Sequence, residues 1–476
     1  MRRFCLALLS LSLGASACDG GDGSPQAGPG QDGQFDDGVA PGGKADTQGF
    51  EDRGYEATCI LRLANTAQFE TLDDDAGVWS VSAGEIIEAR AGSDAELGTA
   101  DDVEFETLEQ LDDVDWVGYF AFQSMYGYAQ ESGICPKLGE EYVHAGEQEA
   151  TELIIRRIGE RMMREYGEGA RPSTRGLHAK GRCLQAEVTV DNSELPEELR
   201  VGVFSENVTY PAWVRFSNGD PHVQADKEGD VRAMAIKLME VPGDKLLDDE
   251  RDAKTQDFLL NHTPAVATAD VIHFADVIDL VEDDRNPALA FLSWNPFDIE
   301  ASSILLAIES ITKSIVNPLS TQYWSQTPYR LGPESSAVKY TARPCDGEQP
   351  GPELDDEDPN HFTPSMEQHL EAGDVCYEFG IQRQTDPQRM PIEDASIEWS
   401  ASESPFIPVA RIVFSAQDFA SEEQANTCQH LSFTPWHALP AHRPLGSLNR
   451  ARKTAYSSIS SVRHGLNGVP RVEPIE

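Results

Sequence analysis

Positive charge is what this chain has least of: its 476 residues carry 37 Lys and Arg against 82 Asp and Glu, a formal charge of −45 at pH 7. Such a surface repels itself and repels polyanions, which argues against nucleic acid as a partner. Long apolar runs are missing too. Past residue 13 no segment offers the ~18 to 20 uninterrupted apolar residues of a membrane span. The eight cysteines include no C-x-x-C pair or other zinc spacing, so no metal is assigned to them. What remains is a chain long enough for two or three domains and a substantial core.

The first seventeen residues read as an export leader, with Arg2 and Arg3, a short apolar stretch over 4–13 and the small residues Ala15-Ser16-Ala17 as a cleavage site. Cys18 follows at once, as in a bacterial lipoprotein box with Ala15 where Leu is usual. Lipid attachment at Cys18 and ordinary leader cleavage are the two readings, so the protein is expected to be exported, either membrane-tethered or free. Residues 18–50 are Gly, Asp, Gln and Pro with almost nothing apolar, a composition too poor in buriable surface to offset its ordering entropy, and are expected to be a flexible linker.

Beyond Cys5 and Cys18 stand six cysteines, Cys59, Cys135, Cys183, Cys345, Cys376 and Cys428. An even number in an exported chain points to pairing, with a connectivity the sequence leaves open. Buried free thiols at Cys183 and Cys376 are the alternative.

Residues 51–137 hold a repeat: Phe69-Glu-Thr-Leu72 recurs 36 residues later as Phe105-Glu-Thr-Leu108, each copy followed by an acidic turn, a glycine and a helix-like stretch. Ala83, Ile86, Ile87 and Ala89 outline one short amphipathic helix, and Ala121, Phe122 and Met125 its counterpart. The arrangement resembles paired helix-hairpin-helix units and predicts a small all-α domain. With 21 acids and 4 bases over residues 51–140, DNA binding through hairpin amides is disfavoured, and a structural or docking role is expected. Asp94, Glu96, Asp101 and Asp102 read as a solvated acidic turn rather than a calcium loop.

From 138 onward the pattern changes. Ile154, Ile158 and Met162 recur at helical spacing over 146–166, ended by the run Gly167 to Pro172. Leu184, Ala186, Val188 and Val190 alternate with polar residues, and strand-like segments follow at 210–216, 231–238, 258–260, 375–381 and 409–414 before a helix from about 445. This order predicts an α+β fold, an antiparallel β-barrel flanked by helices.

Within it stand Arg175-Gly-Leu-His178-Ala-Lys-Gly181, Trp213-Val-Arg215-Phe-Ser217-Asn-Gly219, Val231-Arg232-Ala-Met-Ala-Ile-Lys237 and Gln256-Asp-Phe-Leu-Leu-Asn261-His-Thr-Pro264. Near the end, Arg452 precedes Tyr456 by four residues and Arg463 follows it by seven. Taken singly, a histidine beside glycines is a surface or capping residue. In this order and spacing the motifs resemble the core of haem catalases over about residues 140–476.

The resemblance implies a catalase-type barrel holding haem b. His178, Ser217 and Asn261 match the residues of the peroxide side, and Phe274 a ring packed on the porphyrin. Tyr456 matches the iron ligand, with Arg452 beside it to favour the phenolate, while Arg175, Arg215 and Arg463 match the propionate-binding arginines. The activity implied is cleavage of a peroxide O–O bond, with His178 as a proton shuttle titrating near neutrality.

This sequence also departs from that family. His262 and then Ala265, Val266 and Ala267 replace an asparagine and bulky aromatics, which predicts a roomier pocket. Leu177 stays apolar, as in catalases. Tyr323-Trp-Ser-Gln-Thr-Pro-Tyr-Arg-Leu-Gly332 followed by Val338-Lys-Tyr340 is similar to the shorter catalase-related proteins. Decomposition of hydrogen peroxide is the leading expectation. An organic or fatty-acid hydroperoxide peroxidase, isomerase or lyase is the second, and a non-catalytic haem-binding protein the third. Oligomeric state stays open, a homo-oligomer included.

Overall fold

The computed structural model describes residues 50, 52–169, 171–283, 285, 301–313, 315–347, 351 and 358–474. The expected leader, Cys18 and the linker as far as residue 49 lie outside the described residues. No helix among the described residues is long and apolar enough to cross a membrane.

The acidic repeat folds as four helices, α1 (Tyr55–Thr66), α2 (Ser80–Arg90), the short α3 (Leu108–Asp112) and α4 (Tyr119–Glu131). Ile60, Leu63, Leu72, Ile86, Leu108, Leu111, Phe122 and Met125 form a core of their own, and the Cys59–Cys135 disulfide ties α1 to the chain beyond α4. Gly77 and Trp116 both adopt left-handed φ, 70° and 66°, and each is followed by a buried valine, Val78 or Val117.

α5 (Glu147–Tyr166) buries Ile154, Ile158 and Met162 on one stripe. The strands follow: β1 (Gly181–Val190), β2 (Thr209–Asn218), β3 (Arg232–Leu238) and β4 (Gln256–Asn261), then helices α6 (Val271–Glu282) and α7 (Ala301–Thr312). β5 (Tyr323–Trp324), β6 (Tyr329–Arg330) and β7 (Ala337–Pro344) precede α8 (Phe362–Ala372), β8 (Val375–Arg383), β9 (Ile407–Phe414), α9 (Glu422–His430) and α10 (Ser447–Asn467). Every ladder is antiparallel. The strand order β5-β4-β3-β2-β1-β9-β8-β7 closes on itself where β7 pairs with β5, and β6 continues along the same edge of β7. The result is an eight-stranded barrel, which removes the exposed edges an open sheet would leave.

Period-two patterning explains the barrel. On β1, Leu184, Ala186, Val188 and Val190 are buried while Gln185, Glu187 and Thr189 are exposed. The lumen is packed rather than hollow: Phe258 lies edge-on to Tyr340 at a centroid distance of 4.9 Å and tilted against Phe379 at 5.1 Å, each such ring contributing roughly 1.5–3 kcal/mol through burial. His442 joins this cluster, its Nε2 accepting from the Val203 N–H at 3.0 Å.

Outside the barrel α5, α6 and α10 share a second apolar cluster of Ile158, Met162, Val271, Ala275, Leu448 and Ala451, with Leu177, Val266, Phe274 and Ile459 packed against it. Arg450 pins the start of α10 to the start of α5, meeting Glu147 at 2.6 Å, Glu393 at 2.8 Å and Glu141 at 3.0 Å. Disulfides join Cys183 to Cys428 and Cys345 to Cys376. The reading of Cys183 and Cys376 as free thiols is therefore corrected: each has a partner that is remote in sequence and adjacent in the fold.

Candidate active site

His178 stands three residues ahead of β1, in a segment that prolongs the β1–β2 ladder: its N–H donates to Gly219 O at 2.9 Å, and the Ala179 N–H to Asp220 O at 3.0 Å. Its φ of 57° lies in the left-handed region, which costs a non-glycine residue about 1 kcal/mol or more. Ser217, opposite Gly181 on β2, brings its Oγ to 3.3 Å from His178 Nδ1. Asn261 ends β4, and its Nδ2 donates to Gln326 Oε1 at 2.5 Å. The Gln326 amide in turn donates to Thr263 Oγ1 at 2.9 Å and Ala265 O at 2.7 Å. Asn261 Oδ1 is buried with no hydrogen-bond partner. Of the five non-glycine residues with positive φ among those described, His178 and Gln326 both lie here, so backbone strain concentrates at the site.

α10 supplies the other half. Arg452, Tyr456, Ile459 and Arg463 are spaced by four, three and four residues and share one face of the helix. Arg452 Nη1 donates to Thr327 Oγ1 at 3.0 Å and Asn449 Oδ1 at 2.9 Å. Tyr329 lies close to both Arg452 and Tyr456: burial pushes its hydroxyl up to about 12, Arg452 opposing the shift and Tyr456 adding to it. Ile459 reaches Gly176, two residues before His178. A Cβ on Gly176 would stand 2.6 Å from Ile459 Cγ2 and 2.7 Å from Ile158 Cγ2, so the missing side chain is what lets α5 and α10 close over the His178 segment.

Between these halves three arginines converge. Arg175 Nη2 donates to the carbonyls of Cys428 at 2.9 Å and Leu431 at 2.6 Å. Arg215 Nη2 donates to His178 O at 2.7 Å. Arg463 donates to Gln429 O, to Leu431 O at 3.3 Å and to Ser432 Oγ at 3.0 Å. Among the described residues none of the three forms an ion pair with a carboxylate, although the chain has more than two acids for every base. Arg175 Nη1 and Arg215 Nε are buried without any hydrogen bond. Burial, with Arg215 and Arg463 nearby, holds Arg175 well below its ordinary range; burial and Arg463 hold Arg215 at about 9, and burial and Arg471 hold Arg463 at about 10. Buried cations without counter-charge are costly. An anionic ligand offering two carboxylates to planar N–H forks relieves that cost, and the propionates of haem fit this donor set.

The same surroundings fix the protonation of His178. Burial, then Arg215, Arg452 and Arg175, lower its pKa to about 3. The expectation of a group titrating near neutrality is corrected: with its ordinary value of 6.5 displaced so far, His178 is a neutral imidazole at physiological pH.

No family model matches the chain, and no curated protein matches it. Solved structures do. A fungal catalase superposes with a TM-score of 0.50 at 18% identity, over 64% of this chain and 63% of that one. Catalase A from Saccharomyces cerevisiae gives 0.50 at 17% identity, over 64% and 65%. The fold is that of catalases. This chain spans a little under two thirds of the length of either structure.

On that fold Ser217 and Arg215 are hydrogen-bonded to His178, Arg452 and Arg175 lie near enough to lower its pKa, and Asn261 and Arg452 are held by the adjacent residues Gln326 and Thr327. Phe274, on α6, is half-buried and packs with Leu177, Val266 and Ile459 in one cluster. Ala265 is buried and holds the Gln326 amide through its carbonyl. His262 is engaged elsewhere: its Nδ1 accepts from the Arg232 N–H at 3.0 Å, and burial with Lys313 nearby lowers its pKa to about 4. Gln326, Thr327, Asn449 and the carbonyls of 428–431 were not singled out from sequence. The 323–332 motif contains the first two, but nothing local marks what they touch.

Proposed function

We propose that this chain is a haem-dependent enzyme that cleaves the O–O bond of a peroxide, with haem b as cofactor and hydrogen peroxide as substrate. The observation that carries this reading is the convergence of Arg175, Arg215 and Arg463, buried and without carboxylate partners, beside His178 and the Arg452–Tyr456 turn. Haem, when bound, supplies a ferric iron at which a peroxide bond is broken. Tyr456 is the residue to hold that iron, and Arg452, one turn earlier, places a fixed cation beside an anionic ligand. The three arginines hold the propionates.

His178 enters neutral, with Ser217 Oγ at Nδ1 setting the ring. Its Nε2 would accept the proton of one peroxide oxygen and return it to the other, so that one oxygen leaves as water; the two electrons that this takes would be lent by the haem and restored by a second peroxide, oxidised to dioxygen. Asn261 Oδ1, free of protein partners, accepts a hydrogen bond from the peroxide O–H and orients it. Gln326 keeps that amide in place. The neutrality of hydrogen peroxide suits a chain of charge −45, which repels fatty-acid carboxylates. One observation favours a bulkier peroxide instead: Val266, standing where the resembled family carries a bulky aromatic, packs against the same apolar cluster as Leu177 and Phe274. The three disulfides support work in an oxidising compartment, tethered through Cys18 or released.

The test reconstitutes the protein with haem b and compares it with Tyr456→Phe and His178→Ala. A high-spin ferric spectrum of the tyrosinate type, lost in Tyr456→Phe, is expected. Oxygen evolution from hydrogen peroxide should disappear in His178→Ala while haem stays bound. Turnover of a fatty-acid hydroperoxide without oxygen release selects the second substrate class, and haem uptake with no turnover of either leaves a haem-binding protein. Absence of stoichiometric uptake overturns the reading.

A further inference from the structure

We propose that the Cys183–Cys428 disulfide positions the anion-binding arginines, so that the protein's grip on the carboxylates of its ligand is complete only when this cross-link is closed. The inference rests on the haem reading above.

Three observations place the disulfide there. Cys183 on β1 is the cross-strand partner of Arg215 on β2. Cys428 lies in the last turn of α9, 245 residues away in sequence, and the backbone that follows it is what orients the other two arginines. Cys428 O and Leu431 O hold Arg175, while Gln429 O, Leu431 O and Ser432 Oγ hold Arg463. One covalent bond therefore ties the strand position beside Arg215 to the segment that aims Arg175 and Arg463. A guanidinium is a rigid planar fork, so fixing one edge against two carbonyls also fixes where its remaining N–H groups point.

The other attachments of this segment are few. Gln424 Nε2 donates to Cys183 O at 3.1 Å, Gln429 Nε2 donates to Ser173 O at 3.0 Å, and Leu431 packs with Trp213 and Phe433 against the disulfide itself. The remaining cross-links do not serve this purpose. Cys59–Cys135 lies among the N-terminal helices, and Cys345–Cys376 bridges the ends of β7 and β8. Reduction of Cys183–Cys428 by a dithiol breaks the Sγ–Sγ bond with two electrons and two protons, giving two thiols, while the dithiol closes to its own disulfide. The carbonyls of 428–431 are then held by noncovalent contacts alone, the packing of Leu431 against Trp213 and Phe433 and side-chain hydrogen bonds that include those of Ser432 Oγ to Ser460 Oγ and His464 Nε2.

The experiment titrates the full chain with haem b and with haem b dimethyl ester, whose capped propionates cannot engage arginines. Wild type is compared with Cys183→Ala/Cys428→Ala and, as a control, with Cys345→Ala/Cys376→Ala. Expected is a roughly tenfold weaker Kd for haem b in the first variant, about the value of one charge-assisted hydrogen bond. The dimethyl ester should bind that variant as it binds wild type, and the control should match wild type with both ligands. An equal loss for both haems, or no loss for haem b, overturns the proposal. Wild type that binds neither haem overturns the haem reading instead.

Reciprocity supplies a measurement that needs no variant. If closure of the pair strengthens haem b binding tenfold, haem b lowers the pair's midpoint potential by ~30 mV and the dimethyl ester leaves it unchanged. Equal potentials with and without haem b refute the proposal even if the variant does not fold.

Discussion

Arg215 lies over a glycine: a Cβ on Gly181 would stand 2.7 Å from its Cζ, and the guanidinium crosses that gap to reach His178 O. Because it is buried with no carboxylate, its charge is a burden on the ligand-free protein and an asset once an anion arrives. Arg215→Met is accordingly expected to weaken haem b binding by roughly tenfold or more while leaving the Tm of the ligand-free protein equal or higher; a fall in both would contradict this account. His442 carries a prediction of the opposite kind. Burial lowers its pKa from 6.5 to about 3, so the unfolded chain takes up a proton below pH 6.5 that the native state refuses. The stability it contributes is full above that pH and is lost as pH falls. The advantage of wild type over His442→Asn should shrink by about 2 kcal/mol between pH 7 and pH 5, read by denaturant unfolding at each pH. The candidate residues were legible in the sequence because each sits in a short motif. Their states were not. The carbonyls that hold Arg175 lie some 250 residues away, those that hold Arg463 about 30, and the charges that lower the pKa of His178 come from strand β2 and helix α10 as well as from its own segment.

Elements repeat this division. The period-two runs of β1 and β2 and the helical stripe of α5 are local patterns, and they fold where the patterning places them. β5 and β6 escaped notice, since two-residue strands have no periodicity to detect, yet β5 closes the barrel and β6 extends the edge of β7. The contact between α5, α10 and the His178 segment was equally silent, for it depends on a side chain that Gly176 lacks. Gly176→Ala pushes a methyl group into Ile459 and Ile158, and a destabilisation of about 1–3 kcal/mol is expected. Because Ile459 lies one turn beyond Tyr456, the tyrosinate-type haem spectrum should weaken with it. A spectrum unchanged at full haem loading would show that α10 absorbs the insertion without moving its ligand.

At the scale of the whole molecule, a formal charge of −45 surrounds a small interior cluster of cations. Self-repulsion of that surface opposes the compact state, and salt screens it. The Tm should rise as sodium chloride increases from 20 to 500 mM, by calorimetry at ~pH 7, whereas a protein held mainly by surface ion pairs would show a fall. The barrel itself has one thin seam. β5 meets β4 at the single pair Asn261–Trp324 and meets β7 at only two positions, against nine between β1 and β2. Local opening follows the fewest bonds. Amide exchange at Trp324 and Asn261 should therefore outrun that of β1, leaving His178 braced on the most durable ladder of the wall while Asn261 sits at its latch. The barrel, closed to every neighbouring strand, would breathe where the Asn261 amide is attached.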